Sequence, residues 1–194
     1  MDIIICMVVT EKKTVKTESY KNLENFKKFQ VRSSRADFAK RFNYPVLIPD
    51  IGQDLEQKEG LGFDTVFMQR DQLKQMMQQS QMKAVSSEVV RLVKKGTNVF
   101  TGMVSVGRTT NCDVVINSPI VSKFHAYFNK GTKDGSYYLT DANSTNGTYV
   151  NNIRLQPKVK KDLSDGDTIC FDRQINFSYY TPEGFYDLLD QTLG

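Results

Sequence analysis

Three short stretches of this chain hold side chains whose types and spacing suit the capture of an anion. They are Val106-Gly107-Arg108, Val121-Ser122-Lys123-Phe124-His125-Ala126 and Asp141-Ala142-Asn143-Ser144-Thr145-Asn146-Gly147-Thr148. Together they supply a guanidinium fork, an ammonium group, hydroxyls and carboxamides. Arginine offers planar bidentate donors and lysine a point charge. Serine and threonine add neutral donors, and an asparagine side chain both donates and accepts, so it can clamp a peptide backbone. The set is rich in donors and positive charge but has no general base nearby other than a single histidine. It suits holding a phosphate better than breaking a bond.

The alternatives are poorly supplied. His125 is the only histidine, which excludes a poly-histidine metal site. The three cysteines, Cys6, Cys112 and Cys170, have 105 and 57 residues between them, so neither a zinc knuckle nor a disulfide framework is supported. A Ser-His-Asp site needs His125 exposed beside a nucleophile, and kinase and P-loop signatures are absent. Gly60-Leu61-Gly62 lacks the third glycine and the helix start of a dinucleotide fingerprint. No catalytic set, metal site or cofactor is expected.

The elements that must position these stretches change character along the chain. Residues 19–44 read as helical. Within them Ser34 and Asp37 resemble a capping box, and Phe38 and Phe42 share a face. Pro45 stops the helix, and Val46-Leu47-Ile48 reads as a short buried strand. Ile3–Val9 reads as a strand too, residues 50–62 as a loop, and residues 70–84 as a helix with a Met-rich stripe suited to core packing. From Ser86 onward the period becomes two-fold. Short segments rich in Val, Ile, Phe, Tyr and Thr begin at Glu88, Val99, Asp113, Phe124, Tyr137, Thr148, Thr168 and Ile175. Turn signals such as Asp134-Gly135, Asn146-Gly147, Asn151-Asn152 and Asp165-Gly166 separate them. That pattern predicts a mainly β sandwich or barrel, whose ends carry the polar loops.

The 194 residues suit one domain plus an appendage, and the 25% charged fraction is that of a folded chain. Residues 1–95 carry 17 Lys and Arg against 12 Asp and Glu, while residues 96–194 carry 9 against 10. The basic excess therefore sits in the first half, as pairs rather than blocks, and reads as solvated helix faces. It gives little support to nucleic-acid binding. The apolar run Ile3–Val9 is far shorter than the roughly 20 residues a membrane span needs, so no membrane association and a cytoplasmic location are expected.

The ordered set Gly107-Arg108, Asp113-Val114-Val115-Ile116, Ser122-x-x-His125-Ala126, Leu139-x-Asp141, Ser144-Thr145-Asn146-Gly147-Thr148-x-Val150-Asn151 and Leu163-x-Asp165-Gly166-Asp167-x-Ile169 resembles a forkhead-associated (FHA) domain over residues 86–181. The resemblance implies an eleven-stranded β-sandwich of the SMAD/FHA type that binds phosphothreonine peptides through loops at one end. It implies that Arg108 and Ser122 hold the phosphate, that Lys123 adds charge or a backbone contact, that Thr145 donates to the phosphate and that Asn146 binds the neighbouring main chain. Gly107, His125 and Gly147 would be structural, with His125 holding the turn rather than catalysing. The organisation expected is a basic, α-rich extension at 1–85 of unknown role, the FHA domain at 86–181 and a helical tail at 182–194. The function expected is non-catalytic: a signalling adaptor whose partners are a phosphothreonine protein or peptide and an upstream Ser/Thr kinase. The alternative is a phosphorylation-independent scaffold of the same fold.

Overall fold

The computed structural model describes residues 22–50, 88–96, 98, 100–131, 136–172 and 175–192. The expected strand at Ile3–Val9, the loop at 51–62 and the Met-rich helix at 70–84 lie outside the described residues. The described residues form eleven strands and three helices, a mainly β fold of two sheets. The helices are α1 (Leu23–Gln30), α2 (Arg35–Arg41) and α3 (Pro182–Thr192). The strands are β1 (Val46–Pro49), β2 (Val90–Arg91), β3 (Val104–Gly107), β4 (Val114–Val115), β5 (Ala126–Lys130), β6 (Tyr137–Asp141), β7 (Thr148–Val150), β8 (Ile153–Arg154), β9 (Lys160–Asp162), β10 (Thr168–Phe171) and β11 (Ile175–Tyr180).

One sheet has the order β2-β1-β11-β10-β7-β8 and the other β4-β3-β5-β6-β9. Only the β3–β4 pair is parallel among these strands. Alternation along each strand sends one set of side chains inward. Ala126 and Phe128 of β5 face Phe177 and Tyr179 of β11 across the sandwich, and the Phe128 and Tyr179 rings stack 6.4 Å apart. Val106, Leu139, Ile169 and Phe171 complete the buried centre.

The β1 end of the first sheet is covered on both faces, which explains why β1 reads as an apolar run, Val46-Leu47-Ile48. Leu47 and Tyr179 point into the sandwich core, whereas Val46 and Tyr180 point the other way, into a second core under the helices. There Leu23, Phe26, Phe38, Phe42, Phe185 and Leu189 pack together. Strand β1 lies between β2 and β11, with Val46 opposite Tyr180 and Pro49 opposite Phe177. A segment that precedes residue 51 thus stands inside a sheet of the sandwich.

The helical stretch expected over 19–44 is two helices. The Ser33 hydroxyl donates to the Phe29 carbonyl at 3.0 Å, a local bond that competes with helix continuation, and the chain turns there. Ser34 then caps α2, accepting from the Asp37 amide at 3.2 Å. The Phe38 and Phe42 rings meet at 4.7 Å.

Candidate functional site

At one end of the sandwich, the segments after β3, before β5 and between β6 and β7 are laced into one surface. The Arg108 amide donates to the Ser122 carbonyl at 3.0 Å, and the His125 amide to the Val106 carbonyl at 2.8 Å. The Ala142 amide donates to the His125 carbonyl at 2.9 Å, and the Thr145 amide to the Ser122 hydroxyl oxygen at 3.1 Å. The Asn146 side-chain amide reaches across to the Ile120 carbonyl at 2.8 Å. Arg108, Ser122, Lys123, Thr145 and Asn146, which are far apart in sequence, therefore share one end of the fold.

Gly107 makes this possible. A β-carbon there would overlap the Lys123 carbonyl and lie 2.9 Å from Cys112 Sγ. Only glycine lets the end of β3 pass so close to the 122–125 segment, and the residue after it is Arg108. Thr109 Oγ1 donates to the same Lys123 carbonyl at 2.8 Å, fixing the crossing from the other side. Gly147 has φ +92° in the left-handed region, where a side chain is strained, and it closes the third segment.

His125 lies wholly buried beneath the surface. Its Nδ1 accepts from the Ser122 amide at 3.1 Å, so the proton belongs on Nε2, which donates to the Gly147 carbonyl at 3.2 Å. A single neutral ring thus joins the second and third segments. Burial pushes its pKa below the ordinary histidine value, against the opposing pull of Gly147 and Asp141. The ring also meets the Phe171 edge at 5.4 Å. In this placement the His125 ring is closed off from solvent and both its nitrogens are bonded to the frame.

Asp141 organises the third segment, a role that residue type alone did not single out. Its Oδ1 accepts from the amides of Asn143 at 2.9 Å and Ser144 at 3.0 Å. Its Oδ2 accepts from the hydroxyls of Ser144 and Thr148, both at 2.6 Å. Burial alone would raise this carboxyl, but the four donors outweigh it and hold the pKa below the usual carboxylate value. A second buried carboxylate, Asp113, does the same at the foot of β3, accepting from Ser105 and from the Lys95 amide at 2.7 Å. The signal that could have found Asp141 is an aspartate next to Thr140 at a strand end; Asp113, whose partner Ser105 is eight residues away, carries no such local signal.

On top of this frame sit the exposed groups. The Ser122 and Thr145 hydroxyl oxygens are 3.4 Å apart, a long contact that each can exchange for a better acceptor. Arg108 and Lys123 are exposed, and no ion pair engages either among the described residues. Their charge faces solvent. Within the described residues no group of three or more His, Cys, Asp or Glu is arranged to hold a metal ion, and no helix is long and apolar enough to cross a membrane.

Residues 104–172 match the family model of the FHA domain. Curated proteins similar to parts of this chain include the following two. The FHA domain-containing protein PS1 of Arabidopsis thaliana is 33% identical over 64 residues, covering 33% of this chain and 4% of that protein. The DNA damage response protein kinase DUN1 of Saccharomyces cerevisiae is 35% identical over 82 residues, covering 39% of this chain and 15% of that kinase. The chain thus spans a small part of the length of these two relatives. Among solved structures, the yeast Dun1 FHA domain in complex with a doubly phosphorylated (pT) peptide is 28% identical, with a TM-score of 0.39, covering 48% of this chain and 65% of that one.

Proposed function

We propose that the FHA domain carried at residues 104–172 is a phosphothreonine-binding module, and that the chain serves as a signalling adaptor downstream of Ser/Thr kinases in the cytoplasm. The observation that carries this reading is the pairing of Ser122 and Thr145 hydroxyls at 3.4 Å on the same loop surface as Arg108 and Lys123, whose charges no acid of the described residues neutralises. A phosphothreonine brings about −1.5 to −2 charges and three acceptor oxygens. Arg108 and Ser122 hold the phosphate, Thr145 adds a donor and Lys123 adds charge. Asn146, already bonded to one backbone carbonyl, clamps the main chain beside the phosphothreonine. Gly107, His125 and Gly147 keep the three segments in register.

Each charge-assisted hydrogen bond contributes roughly 1.5–3 kcal/mol net. Several of them, less the entropy of association, give about −8 kcal/mol, which is micromolar affinity. The buried frame matters here because preorganised donors lose little freedom on binding. We further propose that residues 22–50 and 182–192 fold as one unit with the 86–181 sandwich. The place of β1 between β2 and β11 supports that reading.

Fluorescence-anisotropy titration of the full chain against a degenerate phosphothreonine peptide library tests the function. Micromolar binding that requires the phosphate is expected. Equal binding of the unphosphorylated library would favour the phosphorylation-independent scaffold instead.

A further inference from the structure

A third cation, not among the residues assigned above to the phosphate, stands beside the loop segments. Arg154 lies in β8, across the hairpin from β7, with Tyr149 as its partner in the ladder. The two-residue turn that returns it is Asn151-Asn152, with φ 50° and 65°. A β-carbon built on Gly147 would lie 2.6 Å from Arg154 Nε and 3.1 Å from both Cζ and Nη2. The guanidinium therefore occupies the space that a side chain at 147 would fill. Gly147 directly follows Asn146, and consecutive Cα atoms are about 3.8 Å apart. The charge of Arg154 thus sits within about two residues of Thr145.

Arg154 is exposed, and no carboxylate pairs with it among the described residues. The end that presents Arg108, Lys123 and Arg154 belongs to a half-chain whose net charge is −1, so the positive charge is local rather than a general excess. Phosphate capture would use Ser122 and Thr145, which precede Asn146 on the loop surface. Arg154 lies against Gly147, the residue that follows Asn146.

Resting on the phosphothreonine reading, we infer that Arg154 determines specificity, selecting peptides with a second anionic side chain within about three residues of the phosphothreonine. The guanidinium forks onto that anion while Gly147 leaves it room to lie flat on the turn. A carboxylate and a second phosphate share the required chemistry, and they are separate arms of the test.

The test uses the full chain, wild type and Arg154→Gln, with Arg154→Lys as the conservative variant. Peptides carry one phosphothreonine and, at each flanking position in turn, Ala, Glu or phosphoserine. The wild type should bind the best Glu or phosphoserine peptide about five- to tenfold more tightly than its Ala counterpart. This preference should weaken with added salt. R154Q should lose the preference while keeping the wild-type affinity for the Ala peptide, and R154K should recover part of it. Equal wild-type affinity for neutral and anionic flanks, with Arg108→Ala still abolishing binding, overturns this inference and leaves the phosphothreonine reading intact. Equal weakening of every peptide by R154Q also overturns it, since that marks a role in holding the turn. A wild type that ignores every phosphopeptide overturns both.

Discussion

Arg35 and Arg108 are both exposed arginines on the same chain, and they are used in opposite ways. Arg35 lays its fork on Asp187, with Nε and Nη2 at 2.8 and 2.7 Å from the two carboxylate oxygens. Around it the helical layer also bonds to itself: Lys27 Nζ donates to the Leu189 carbonyl at 2.7 Å and Gln30 to Asp190 at 3.1 Å. Beneath lies a cluster of rings, with Phe26 5.1 Å from Phe42 and 5.0 Å from Phe185. At the loop end, Arg108 and Lys123 have no such acid among the described residues, and buried polar groups below them fix three segments of backbone. The helical layer closes its interactions inward, which is what stability requires. The loop end spends the buried His125 and Asp141 on its backbone and leaves its top open, which is what binding an anion requires.

The largest expected effect breaks the helical side of this contrast. Phe26→Ala removes a wholly buried ring and should destabilise the fold by about 3–5 kcal/mol in urea unfolding. The peptide affinity of the folded fraction should be unchanged. Arg108→Ala should do the reverse, lowering phosphothreonine-peptide affinity by at least about thirtyfold, or about 2 kcal/mol, with no loss of thermal stability. If either variant moved the other's readout, the two regions would not be separable.

Asp141→Ala falls between them. It strands the Ser144 and Thr148 hydroxyls, so about 1–3 kcal/mol of stability should go, and binding should weaken because Thr145 and Asn146 ride on that segment.

A smaller effect sharpens the frame by pH. The folded state lowers the pKa of His125, so the unfolded chain takes up that proton first as pH falls. Stability from this residue is present above about pH 6.5 and declines below it. Urea midpoints measured between pH 7.5 and 5 should fall, and less steeply in His125→Asn. Asp141 and Asp113 are held below their ordinary values, so their contribution is lost only at still lower pH, as they finally protonate. Arg35→Ala should change least, since an exposed ion pair contributes little, and both melting temperature and peptide affinity should stay near wild type.

Much of this was legible in the sequence where side-chain pattern and backbone demand coincide. The strands β5, β6, β7, β10 and β11 alternate or run apolar between turn signals, and Ser34 announced its helix by its capping chemistry. The strands β8 and β9 were not legible. Every residue of Ile153–Arg154 and Lys160–Asp162 is exposed, so no burial pattern marks them, although the Asn151-Asn152 turn hinted at the first. Lysines on such an edge strand discourage pairing with another chain. Equally hidden was the seat of β1 within the sheet, because pairing between residues 46 and 180 leaves no local trace. At the loop end, the residue types that meet a ligand were readable. Asp141 was harder to weigh, since its importance lies in four donors converging on a buried carboxylate. Arg154 was invisible for another reason: its position depends on the missing β-carbon of Gly147, just before the neighbouring strand.

The most direct test of the central claim is amide chemical-shift mapping of the ¹⁵N-labelled chain during titration with a phosphothreonine peptide. The amides of Arg108, Ser122, Lys123, Thr145, Asn146 and Gly147 should shift with the added peptide, those of α1, α2 and α3 should stay in place, and the unphosphorylated peptide should move none of them. Shifts centred on the helices, or identical responses to the two peptides, would contradict the account.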